Sequence, residues 1–338
     1  MTTALPTKAE LETAAAIVYA AMPPTPQYCW PLLNEALGTE VWVKHENHTP
    51  TGAFKVRGGL VYIHELAQRA PEVRGVVSAT RGNHGQSIGF AVRRHGLQAT
   101  IVVPHCNSHE KNAAMRALGV QLIEHGAEFQ DSREHAARLA ASQGLHMIPS
   151  MHMDLVRGVA TYWVELLSAQ PDLDVIFVPI GQGSGICAAV AARNALGLKT
   201  KIIGVVSAHA LSYKLSFEQK RKVISDVSTV LADGVACRVP DDAALDIILN
   251  HVYQVVAVTD TQVAQAMKLY FVTTHNVAEG AGAVPLAAAL QMKDALKGLK
   301  VGLPLCGGNV DHDQLAAILS SSSAASAPAA AAEYALAA

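Results

Sequence analysis

An α/β fold, with a mostly parallel sheet under helices on both faces, is what the 338-residue chain predicts, and three observations predict it. Short β-branched runs alternate with helical patterns almost from end to end. These runs are apolar on both faces, as strands must be when helices cover both sides of their sheet. The segments with chemical character follow the carboxyl ends of such runs, where open α/β sheets hold their ligands.

In chain order, Thr7-Lys8-Ala9-Glu10 reads as a capping box that opens an amphipathic helix. Strands are expected at 41–46, 75–79, 100–104, 120–125, 145–149, 174–180, 201–207, 252–258 and 301–305. Helical segments are expected at 54–69, 84–94, 110–118, 132–142, 155–169, 185–196, 261–274 and 284–297. Asp311-His312-Asp313 carries the negative charge that favours a helix N-terminus. Residues 75–154 contain four strand–helix units, and we place them as a small domain inserted into a large one made of 1–74 and 155–322. The Ser/Ala-rich stretch 323–338 is expected to be a flexible tail.

Composition narrows the function classes. The chain is 50% hydrophobic and 16% charged with a net charge of −2, so it lacks the basic surplus that nucleic acid binding requires. Cys29, Cys106, Cys187, Cys237 and Cys306 are scattered without a Cys-x-x-Cys pair, which fits reduced thiols in a cytoplasmic protein. Glu10 and Glu12 interrupt any signal-peptide core, and no apolar run reaches membrane-spanning length.

Lys55 is the first chemical candidate. It stands in Thr51-Gly52-Ala53-Phe54-Lys55-Val56-Arg57-Gly58-Gly59, hemmed in by small and aromatic residues at the mouth of a helix. Desolvation disfavours an ammonium ion and lowers its pKa, giving a nucleophilic amine able to form an imine. Three further segments supply what an imine-forming pyridoxal phosphate needs: the loop at 78–86, the turn Gly181-Gln182-Gly183-Ser184-Gly185, and Cys306-Gly307-Gly308-Asn309. In the turn, glycines let backbone N–H groups close around a phosphate at a helix N-terminus. The dinucleotide pattern fits less well, because the third glycine is misplaced and the strand at 201–207 ends in Val206-Ser207 without a carboxylate.

Several motifs in this order resemble the fold-type II pyridoxal phosphate enzymes, in the threonine/serine dehydratase and serine racemase branch. They are Thr-Gly-Ala-Phe-Lys-Val-Arg-Gly at 51–58, Gly-Asn-His-Gly-Gln at 82–86, the 181–185 turn, Ala232-Asp233-Gly234, Glu279-Gly280-Ala281-Gly282-Ala283 and Cys306-Gly307-Gly308-Asn309. The resemblance covers roughly residues 20–320. It implies two open, mostly parallel sheets covered by helices, as in the β subunit of tryptophan synthase, and a homodimer.

Carried over by position, the resemblance implies that Lys55 holds the cofactor as an imine and moves the α-proton, with Phe54 beside the ring. Asn83 would hydrogen-bond the cofactor's 3′-oxygen, and Gly181, Gln182, Gly183 and Ser184 would cradle its phosphate. Glu279 would lie near the ring and Cys306 would face the pyridine nitrogen. The loop Thr80, Arg81, Gly82, Asn83 and His84 would bind the substrate carboxylate. A neutral thiol opposite the ring nitrogen makes a weaker electron sink than a carboxylate partner, which favours loss of a β-hydroxyl.

Two departures bear on this. Racemising relatives have a serine just before the glycine matching Gly82, whereas Arg81 stands here, and a guanidinium does not exchange protons at working pH. Arg81 either meets a substrate carboxylate or pairs at the surface. The stretch 206–212, where similar enzymes build a divalent-metal site, has no carboxylate, so no metal is expected. His105 and His109 read as loop polarity, His84 as either a hydrogen-bonding or a packing residue, and Glu279 as no more than an orienting group.

The expected activity is that of a dehydratase, or ammonia-lyase, turning a 3-hydroxy amino acid into a 2-oxo acid and ammonia. Threonine and serine are the default substrates. 3-Phenylserine and 3-hydroxyaspartate stay open because Arg81 and the Gln182 turn depart from the commonest pattern. Racemisation or β-replacement on the same cofactor is the alternative, and a non-enzymatic nucleotide-binding protein the remote one. No appended amino-acid-sensing domain is expected.

Overall fold

The computed structural model describes residues 3–321, so the tail expected at 323–338 lies outside the described residues. The chain opens with α1 (Lys8–Tyr19), β1 (Gln27–Cys29), α2 (Pro31–Leu37), β2 (Glu40–His45) and α3 (Lys55–Arg69). There follow β3 (Gly75–Ala79), α4 (Asn83–Val92), β4 (Gln98–Val103), α5 (His109–Ala117), β5 (Gln121–Glu124), α6 (Phe129–Gln143) and β6 (His146–Met147). Then come α7 (Met153–Ala169), β7 (Val175–Pro179), α8 (Ser184–Ala195), β8 (Lys201–Ser207), α9 (Ser212–Gln219) and α10 (Asp242–His251). The last elements are β9 (Gln254–Val258), α11 (Asp260–Thr274), α12 (Gly280–Gln291), β10 (Lys300–Leu305) and α13 (His312–Ser320).

The strands form two sheets. One has the order β1-β2-β10-β7-β8-β9 and the other β5-β4-β3-β6. Every pairing is parallel except that of β1 with β2. Alternate residues of a strand point to opposite faces, and the six-stranded sheet uses both. Val175 and Phe177 of β7, with Ile203 and Val205 of β8, enter a core shared with α11 and α12. Their neighbours Ile176, Val178, Ile202 and Val206 enter a second core shared with α7 and α8. This is why the strands read as unbroken apolar runs.

Most elements lie where their patterns put them, and the expected capping box at Thr7 and Glu10 is formed. β1, α2, α9 and α10 are additional to the expected set. α2 is seven residues long, starts at Pro31 and buries only Leu33 and Leu37, too short for a periodic signal. The expected helix at 284–297 instead spans Gly280–Gln291, followed by a 3₁₀ turn at Lys293–Leu296. Its first ten residues are all buried, so it has no polar face to mark its start.

A buried ionic cluster ties α3 to the body. Arg57, in the first turn of α3, is fully buried; its Nε lies 2.7 Å from Glu46 Oε2 and its Nη1 2.6 Å from Glu165 Oε1. Lys44 Nζ lies 2.5 Å from Glu165 Oε2 and donates to the Thr25 carbonyl at 2.7 Å. Two cations face two carboxylates, so the cluster is neutral. Burial works against the charge on Arg57, but the two glutamates hold its pKa above the ordinary range. Burial likewise acts to raise the Glu165 carboxyl, and Arg57 with Lys44 overcome it. The helix that presents Lys55 is thereby fixed to β2 and α7.

Candidate active site

The loop leading to Lys55 is zipped to the end of β10. Phe54 N–H donates to the Cys306 carbonyl at 2.9 Å, Gly308 N–H to the Gly52 carbonyl at 2.9 Å, and Ala53 bridges Gly307. Position 55 is therefore held at a set distance from Cys306 by backbone contacts. The Lys55 amine reaches across the cavity between the two sheets, donates to Ser184 Oγ at 3.2 Å and lies 4.8 Å from the centre of the Phe54 ring. Burial lowers its pKa to about 8, against the opposing pull of Cys306 and Glu279.

Ser184 opens α8, whose first backbone N–H groups have no partner within the helix. Gly183 sits just before it at φ +106°, and a Cβ there would lie 2.3 Å from Ala244 Cβ, so glycine is required. Tyr213 braces the turn: its hydroxyl donates to the Gln182 carbonyl at 3.2 Å and accepts from Asp241 N–H at 3.1 Å. The Gln182 amide is turned to Cys237 Sγ, so the turn offers the cavity mostly backbone. Donors at a helix N-terminus form an anion site.

Cys306 is buried, and burial, aided by Glu279, raises its pKa well above the usual thiol value. Its Sγ contacts the Ala281 carbonyl oxygen at 3.6 Å. Pro285 explains why that oxygen is open: it lies four residues on in α12 and has no N–H to donate to it. Sequence and helix geometry together keep position 306 a protonated thiol.

On the opposite wall, Asn83 Nδ2 donates to Glu279 Oε1 at 2.6 Å and Asn83 Oδ1 accepts from Asn309 Nδ2 at 2.9 Å. Thr80 Oγ1 accepts from Gly82 N–H at 3.0 Å, shaping the loop. Arg81 lines the cavity and has no hydrogen bond or ion pair among the described residues. His84 is buried with its Nε2 unpartnered, and burial together with the Lys55 charge lowers its pKa to about 3, so the ring is neutral.

All thirteen residues singled out from the sequence line this one cavity. Lys111, Phe129, Ser150 and Tyr213 escaped that reading, and Asp233 and Asn309 entered it only as parts of motifs. Lys111 was accessible to the rule that placed the others, since it follows the carboxyl end of β4. Tyr213 left no local signal, because its partners at 182 and 241 are distant in sequence.

Known proteins resemble this chain over most of its length. Residues 18–307 match the family model described as pyridoxal-phosphate dependent enzyme. The chain is similar to an L-threonine ammonia-lyase of Thermotoga maritima, 34% identical over 85% of this chain and 72% of that protein. It is similar to an L-threo-3-hydroxyaspartate ammonia-lyase of Saccharomyces cerevisiae, 31% identical over 88% of this chain and 91% of that one. Among solved structures, serine racemase of maize superposes with a TM-score of 0.86 at 26% identity, over 93% of this chain and 97% of that one.

Proposed function

Because the chain belongs to the pyridoxal-phosphate dependent enzyme family, we propose that it eliminates water from a 3-hydroxy amino acid, the released enamine then taking up water to give a 2-oxo acid and ammonia. Its two-sheet α/β architecture is that of the fold-type II members. The observation that carries the proposal is the convergence, in one cavity, of a desolvated amine, a backbone anion cradle and a buried thiol.

The donor set fits the cofactor. The α8 N-terminus and Ser184 would take its phosphate, Lys55 its aldehyde, and the remaining Asn83 Nδ2 proton its 3′-oxygen. Cys306 would meet the ring nitrogen. When bound, pyridoxal phosphate supplies an electron sink for the carbon that bears the amino group.

The chain's own groups do the rest. With a pKa near 8, a freed Lys55 amine is unprotonated in part at neutral pH and can take the α-proton of the substrate. The same amine, once protonated, can return a proton to the departing β-hydroxyl. The open N-terminus of α4, with Thr80 shaping its loop, offers N–H donors to the substrate carboxylate. The neutral His84 imidazole adds no charge to that wall.

Assaying threonine, serine, 3-phenylserine and 3-hydroxyaspartate for oxo acid and ammonia tests the proposal. Equimolar oxo acid and ammonia from at least one substrate is expected, and inversion of the amino acid without oxo acid overturns it. The unpaired Arg81 favours a second reading in which the preferred substrate carries a further carboxylate, as 3-hydroxyaspartate does. A kcat/KM for 3-hydroxyaspartate at or below that for threonine removes it. Arg81 also speaks against racemisation, which needs a second proton carrier. Substituting Cys306→Asp is expected to slow elimination about tenfold or more, equivalent to roughly 1.4 kcal/mol in the barrier. An unchanged rate would separate the thiol from reaction choice.

A further inference from the structure

Lys111 joins two acidic groups that no other described cation reaches. It lies in the first turn of α5, where its N–H donates to the hydroxyl of the N-cap residue Ser108 at 3.1 Å. Its stem runs over Gly82 so closely that a Cβ at 82 would come within 2.4 Å of Lys111 Cδ. Its Nζ lies 3.0 Å from Asp233 Oδ2 and 3.2 Å from Glu279 Oε2. Among the described residues it is the one cation within ion-pair distance of Glu279. Glu279 is 3% exposed, and a carboxylate so placed without a counter-ion takes up a proton.

The protonation of Glu279 matters because of what its other oxygen holds. Asn83 is fixed at both ends, its Oδ1 by Asn309 Nδ2 at 2.9 Å and its Nδ2 by Glu279 Oε1 at 2.6 Å. Asn309 is itself anchored, donating to the Thr51 carbonyl at 2.8 Å. One Nδ2 proton of Asn83 is left to offer to the cavity. A carboxylate can only accept, so it selects this orientation of the amide. A protonated Glu279 can donate instead, and then the Asn309 donor alone is left to oppose the flipped amide with its oxygen toward 279.

We propose that Lys111 is a positioning residue: by holding Glu279 as a carboxylate, it fixes which end of the Asn83 amide faces the cofactor. This rests on the reading that the cavity binds pyridoxal phosphate. Burial and the Asp233 charge push the Glu279 carboxyl above its ordinary pKa, and Lys111 with the Asn83 hydrogen bond is what opposes them, so the ionised form depends on Lys111. Asp233, on the loop before α10, shares Lys111, while Lys55 and the Cys306 thiol lie across the cavity. Burial works against the Lys111 charge, yet Glu279 and Asp233 raise its pKa above the ordinary lysine value, so the bridge stays cationic. The bridge also crosses between the sheets, since Lys111 and Asn83 follow β4 and β3 while Glu279, Asp233 and Asn309 belong to the six-stranded body.

The test uses the full-length holoenzyme, its apo form and the variants Lys111→Met, Lys111→Arg, Glu279→Gln and the Lys111→Met/Glu279→Gln pair. Pyridoxal phosphate affinity is read by absorbance titration, and carboxyl protonation by infrared difference spectra. Lys111→Met is expected to weaken cofactor binding about tenfold, the loss of one hydrogen bond to a charged group, while Lys111→Arg retains most of the affinity. The difference between Lys111→Met and the double variant should show the carbonyl stretch of a protonated carboxyl, which wild type minus Glu279→Gln lacks. Adding Lys111→Met to Glu279→Gln should cost little more. Weakened binding without that band overturns the ionisation claim, and the band with unchanged affinity overturns the positioning claim. If Lys111→Met does not fold, Glu279→Gln decides, because wild-type affinity there also overturns the proposal. Failure of the wild type to bind pyridoxal phosphate would instead remove the underlying reading.

Discussion

Lys55→Ala is expected to lower turnover by at least about 10⁴-fold, the upper range for a positioned proton-transfer group, while leaving the fold intact. The amine makes one hydrogen bond, to Ser184 Oγ at 3.2 Å, and no ion pair among the described residues, so little structure depends on it. Stability of the apo form gives an independent check. The folded pKa of about 8 lies below the ordinary 10.5, so the unfolded chain binds more protons between these values. Apo-protein stability should therefore gain a component as pH rises from about 8 to 10.5, and Lys55→Ala should lose that component. Retained turnover, or a pH–stability profile identical to wild type, would contradict the placement of this amine.

The largest structural effect is expected at Arg57. Arg57→Met leaves Glu46 and Glu165 buried with only Lys44 to balance them, and breaking one partner out of a buried ion cluster costs about 3–5 kcal/mol. For a chain of this size that is a fall in Tm of roughly 5 °C, measurable by calorimetry. Removing a carboxylate at the same time, as in Arg57→Met/Glu46→Gln, should recover part of the loss, because the pair is coupled. A simple sum of the two single effects would mean that the cluster does not act as a unit. Since Arg57 stands two residues from Lys55 in the same helical turn, turnover should fall as well.

How much of this was legible in the sequence depended on how local the signal was. β3 and β8 could be read to the residue, because a short run buried on both faces leaves no exposed position inside it. β6 was expected over five residues but pairs only through His146 and Met147, at the sheet edge where the ladder ends. β1 is three residues long and antiparallel, and offers no period to detect. The same contrast holds in the site. Lys55 and the glycine turn announce themselves within a few neighbours. Lys111, Asn309 and Tyr213 matter only through partners far along the chain, which no window of sequence brings together. Arg57 was visible inside its motif, but its counter-charges at 46 and 165 were not.

A proline buried in α12 restricts what the molecule can become. With residue 285 unable to supply an amide hydrogen, the oxygen of Ala281 faces the side chain at 306 and welcomes only a group with a hydrogen to give. Serine or threonine would satisfy it, whereas an ionised aspartate would set one lone pair against another. Converting this scaffold to chemistry that demands a fully protonated ring would thus take two coordinated replacements, one in the helix and one at the strand end.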